Sequence, residues 1–154
     1  MEASVWIAGM GFAATILTAW LGARWRRRAD IEARLLEARV RVYGECAEAL
    51  YEYERATHNR VKARLKHRRG AAREHLRQEA YRCNAKARAA IGQAAVIAQR
   101  EDVALRLDEV RSQIGNLNRA RDEAALKVLR RDVEGSIELA LRGVRRDLVG
   151  DPTK

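Results

Sequence analysis

IEARLLEARVRVYGECAEALYEY, residues 31–53, is the stretch whose reading decides the fold. Apolar side chains recur at Ile31, Leu35, Ala38, Val42, Cys46, Ala49 and Tyr53, the spacing of one helix face. A second row at Leu36, Val40, Tyr43, Ala47 and Leu50 widens that face beyond a two-stranded seam, so the helix should pack against more than one partner. Asp30–Arg34 and Glu37–Arg41 add i,i+4 pairs on the polar side. Neither a proline nor a turn cluster interrupts the run from Trp25 to about Lys66.

Toward the C-terminus, Arg68 and Arg69 precede Gly70, cations and then glycine, as expected where a helix stops. Leu76, Ala80, Cys83, Ala87, Ile91, Ala94 and Ala98 resume helical spacing on a face made mostly of alanine, which permits close approach to the first helix. A tight turn makes these two an antiparallel αα-hairpin. A third helix is expected from Glu101-Asp102, with Val103, Leu107, Val110, Ile114 and Leu117 in line. Around Gly115–Asn118 the reading allows either a kink or a turn. The last helix, from about Arg119, carries Leu126, Leu129, Val133, Ile137, Ala140, Val144 and Leu148 on one face and ends at Gly150-Asp151-Pro152.

Toward the N-terminus, residues 3–23 contain no charge, and Arg24, Trp25, Arg26, Arg27 and Arg28 follow at once. An apolar run of about 20 residues is long enough to span a bilayer as a helix. No basic region precedes it, as a signal peptide would require. The arginines put the N-terminus outside and the tail in the cytoplasm of a bacterial inner membrane. Trp6 at one end, with Trp20 and Trp25 at the other, suit the two interfaces. Ser4, Ala8, Gly11, Thr15, Thr18 and Gly22 form a small-residue stripe on which two such helices can meet, a possible homo-oligomer contact. The expectation is therefore an all-α chain with a transmembrane anchor at 1–23. The anchor runs on into a cytoplasmic antiparallel helical bundle at 24–154, a long αα-hairpin plus two further helices.

The formal net charge is +10 over 154 residues. Residues 24–69 hold 14 basic and 7 acidic side chains, whereas residues 101–154 hold 11 of each. The excess is local. Its second knot, Arg60, Lys62, Arg64, Lys66, Arg68 and Arg69, falls at the hairpin tip and is the candidate contact for an acidic partner. Without interleaved aromatics or a reading motif, nucleic acid is the less favoured partner, and sequence-specific recognition is not expected.

Catalytic and metal chemistry lack their usual signatures. Glu54 and His58 share a helix face, but the paired Glu-x-x-His elements of a di-iron bundle are missing, and His58, His67 and His75 read as ordinary surface histidines. Cys46 and Cys83 have no companion ligands for zinc and are not opposite one another in the hairpin, so they read as buried thiols. Glu45, Glu48 and Glu52 read as a solvated face, and there is no phosphate-cradling glycine loop or nucleophile elbow. No enzyme activity, metal or cofactor is expected.

Arg39-Val-Arg-Val-Tyr43 with Ala47, Leu50 and Tyr51, and the ending Arg145-Arg146-Asp147-Leu148, resemble small single-pass membrane proteins of bacteria with GC-rich genomes. In those an arginine-flanked anchor leads into a helical tail. That resemblance implies location and fold, and no activity. The plan is also similar to the b subunit of rotary ATP synthases, though the breaks at Gly70 and near Gly115 oppose one continuous stalk. The function expected is a non-enzymatic scaffold, adaptor or regulator that acts on a protein partner. The alternatives are a membrane-active, phage- or toxin-like effector that oligomerises through its anchor, and a membrane tether for nucleic acid.

Overall fold

The computed structural model describes residues 2–67 and 70–149, with side chains described for Trp25, 27–67 and 70–149. Four α-helices account for most of them: α1 (Glu2–Leu65), α2 (Ala71–Ile97), α3 (Glu101–Asn116) and α4 (Glu123–Val149). No strand occurs among the described residues, so the chain is all-α as expected. It divides into two units, 1–38 and 39–154. In the first unit the described side chains from Arg27 to Glu37 are all exposed, Ile31 at 58% and Leu35 at 52% among them. The expected core face of α1 therefore loses its first two members. Among the described side chains of α1, the first fully buried one is Tyr43.

The second unit is an up-down-up-down bundle. Arg39 donates to the Ile97 carbonyl (3.1 Å) and Lys86 pairs with Glu52 (2.8 Å), which sets α1 and α2 antiparallel. Arg111 meets Asn84 across α2 and α3, and Arg106 lies against Gly143 across α3 and α4. Tyr43 with Asp147, and Glu54 with Arg130, close the ring between α1 and α4. The largest fully buried side chains are Leu50, Leu107, Ile114, Leu117 and Ile137, contributed by α1, α3, the following turn and α4. α2 contributes Ala80, Cys83, Ala87, Ala90, Ile91 and Ala94, so its backbone can sit close to the core.

Turn chemistry explains the helix ends. His67 takes φ 53°, and Gly70 takes φ 81° with ψ −159°, a region open in practice only to glycine. The break near Gly115 is a turn rather than a kink. Leu117–Arg119 tighten into a 3-10 helix, Ala120 extends the chain, and α4 starts at Glu123, later than the Arg119 expected. Asp122 takes the capping role there, its carboxylate accepting from the Ala125 amide (2.7 Å).

Asp147 ties the other end together. Only 1% exposed, its carboxylate accepts from the Tyr43 hydroxyl (2.6 Å) and from the backbone amides of Gln99 (3.3 Å) and Arg100 (2.9 Å). Those amides sit just ahead of α3, where helix N–H groups lack intrahelical partners and favour negative charge. Burial first, and then the hydrogen bond to Asp147, raises the Tyr43 phenol well above its ordinary range.

Candidate functional site at the basic end of the bundle

The tip of the α1–α2 hairpin and the α3–α4 turn share the opposite end of the bundle. Arg64 joins them, donating from one guanidinium to the carbonyls of Asn118 (2.7 Å) and Ala120 (2.6 Å). Those carbonyls lie past the end of α3, where backbone acceptors have lost their helical donors. Arg64, expected as part of a partner contact, therefore has a structural duty.

The other members of the expected basic knot separate into different settings. The Arg60 guanidinium lies over the Tyr81 ring at 5.5 Å, within cation–π range. Lys66 makes only a surface pair with Glu123 (3.7 Å), which contributes little. Lys62 is exposed and borders a hollow of about 320 Å³ with Asn59, Ala63, Lys66 and Leu76. Arg68 and Arg69 lie outside the described residues.

The antiparallel register adds two arginines that sequence reading did not group with the knot. Arg73 and Arg77, in the first turns of α2, join Arg60, Val61, Arg64 and Asn118 around a notch of about 80 Å³. Arg77 shares Glu74 (3.1 Å), the single carboxylate paired with any of these four guanidiniums among the described residues.

A buried polar cluster occupies the α1–α4 interface along the same helices. Glu54, 4% exposed, accepts from Arg130 (2.8 Å), which also pairs with Glu134 (3.1 Å). Burial raises the Glu54 carboxyl above its ordinary value, with Arg130 opposing. His58 is half-buried rather than on the surface, its Nδ1 has no hydrogen-bond partner, and burial followed by Arg130 and Lys62 lowers its pKa. Glu45 and Glu48 are exposed, as expected of a solvated face, whereas Glu52 is half-buried and pairs with Lys86. Cys46 and Cys83 are buried free thiols, and burial pushes Cys46 up to about 11, which keeps it protonated and unreactive. Among the described residues no group of three or more His, Cys, Asp or Glu side chains is arranged to hold a metal ion.

Most sites expected in the N-terminal region lie outside the described side chains. These are Ser4, Trp6, Ala8, Gly11, Thr15, Thr18, Trp20, Gly22, Arg24 and Arg26. Trp25, Arg27 and Arg28 are described, and all three are exposed. Among the described residues no helix is long and apolar enough to cross a membrane, and the expected span at 3–23 falls outside the side chains described.

The family model of the KilB plasmid transfer protein matches residues 40–148. The chain belongs to the KilB family. No curated protein and no solved structure matches it. The KilB match starts one residue inside the second unit and stops one residue short of the end of α4. It thus coincides with the bundle, taking in both the Asp147 junction and the arginine notch.

Proposed function

We propose that this KilB protein is a membrane-anchored helical scaffold in plasmid transfer, working by contact with another transfer protein rather than by catalysis. In this reading residues 3–23 span the inner membrane and Arg24–Arg28 hold the bundle on its cytoplasmic side. The observation that carries it is the pairing of that uncharged stretch with a bundle matched by a plasmid transfer family. Exposed apolar side chains on α1, among them Leu36 and Val40, support a role in docking.

Three measurements test it. The chain should stay in the membrane pellet after alkaline carbonate extraction, and loss of its gene should depress plasmid transfer. Photo-crosslinkers at Leu36 or Val40 should capture a second transfer protein during transfer. Release by carbonate, undiminished transfer, or self-crosslinks alone would sink the proposal. Collapse of the membrane potential on expression would instead favour the membrane-active effector, with Ser4, Ala8, Gly11, Thr15, Thr18 and Gly22 as its contact stripe.

A further inference from the structure

We infer that the notch between Arg60, Arg64, Arg73 and Arg77 is a phosphate-binding site that takes the backbone of nucleic acid without reading its sequence. This goes beyond the scaffold reading, which needs no ligand at this end.

Four guanidiniums border one hollow of about 80 Å³, room for a small oxyanion and not for a base. Glu74, on Arg77, is the single carboxylate among the described residues that neutralises any of the four. Arg64 is held by one bond from each terminal nitrogen to a carbonyl, so it contributes charge and a fixed wall. Arg60 is steadied by Tyr81, while Arg73 and Arg77 approach from α2 with exposed heads. Guanidiniums present a planar fork that matches phosphate oxygens two at a time.

A single carboxylate from a protein would leave most of this positive charge unmet. A phosphodiester chain would not, because it repeats its charge at short intervals. Lys62 on α1 and Lys66 just past its end stand outside the notch, as do Arg119 and Arg121 in the α3–α4 turn, and all four are exposed and able to meet further phosphates of a repeating chain. Among the described residues no aromatic group lines the notch to stack a base, and a hollow of this size admits a phosphate rather than a base edge.

The test uses the full chain in neutral-lipid nanodiscs, with duplex DNA, polyglutamate and phosphatidylglycerol vesicles as separate probes. Arg60→Gln, Arg73→Gln and Arg77→Gln together should weaken duplex binding by about tenfold or more and flatten the salt dependence by about one unit of slope per arginine. Gln keeps helix propensity near that of Arg, and an unchanged circular dichroism melt shows that the fold is intact. The control, Arg142→Gln with Arg145→Gln, removes exposed charge from α4 near the Asp147 end and should leave affinity within about twofold once net charge is allowed for. Three results would overturn the inference: no duplex binding, an equal loss in the control, or arginine-dependent binding confined to polyglutamate or to vesicles.

Discussion

The two ends of the bundle solve the same problem with opposite charges. Where α1 meets the α2–α3 turn, one buried carboxylate, Asp147, gathers three donors and leaves nothing over. Where the α1–α2 hairpin meets the α3–α4 turn, one guanidinium, Arg64, gathers two carbonyls, and further arginines stand around it. An anion serves backbone N–H groups ahead of a helix, and a cation serves carbonyls after one. The first end is chemically complete. The second carries surplus positive charge and is the end suited to an anionic ligand, whereas the exposed apolar Val40 lies near the first.

Breaking the complete end should have the larger effect. Asp147→Ala strands a buried hydroxyl and two amides, and should destabilise the bundle by about 3 kcal/mol or more. Thermal unfolding of the full chain by circular dichroism measures this. Asp147→Asn, which keeps an acceptor, should recover part of the loss, and equal losses in the two variants would refute the role given to the carboxylate. Arg64→Met keeps the aliphatic stem but abandons two carbonyls at a part-buried site, for a loss of about 2 kcal/mol in the same melt. A loss as large as that of Asp147→Ala would erase the contrast between the ends.

The smallest effect is expected at the α1–α4 interface between the ends, where Glu54 and His58 lie. The Glu54 pKa is raised in the fold, so between 4.5 and that raised value the folded chain holds its proton more tightly than the unfolded one. Its contribution to stability therefore grows as pH falls through that window and fades as pH rises out of it. His58 has the opposite sign. Its pKa is lowered from 6.5, so its contribution is present at neutral pH and is lost as pH falls below 6.5. Urea midpoints measured across this range should show the Glu54 slope vanish in Glu54→Gln while the His58 slope remains. An unchanged profile would mean that burial of Glu54 does not govern its proton.

The helices were legible because their signals are local. The stripe from Val103 to Leu117 is buried throughout, and Glu101 opens α3 as its acidic first turn implies. Gly70 marked the hairpin break through its backbone freedom. Long-range polar pairing was not legible. Ile137, Ala140 and Val144 step on to Asp147 as readily as to Leu148, and a carboxylate on an apolar stripe was the available hint of a buried acceptor. Naming its donors required knowing that α4 ends beside the α2–α3 turn. Arg73 and Arg77 escaped for the same reason, since only the antiparallel register brings them to Arg60 and Arg64. Ile31 and Leu35 erred the other way, because periodicity states that a face exists and not that a neighbour covers it.

The Asp147 junction also imposes an order on biosynthesis. Tyr43, Gln99 and Arg100 are all translated before the carboxylate that unites them. Until the last turns of α4 leave the ribosome, three helices wait with those donors unmatched and the α1–α2 hairpin and α3 unlocked at that end. Completion of the bundle is in this sense a late step, timed by one residue.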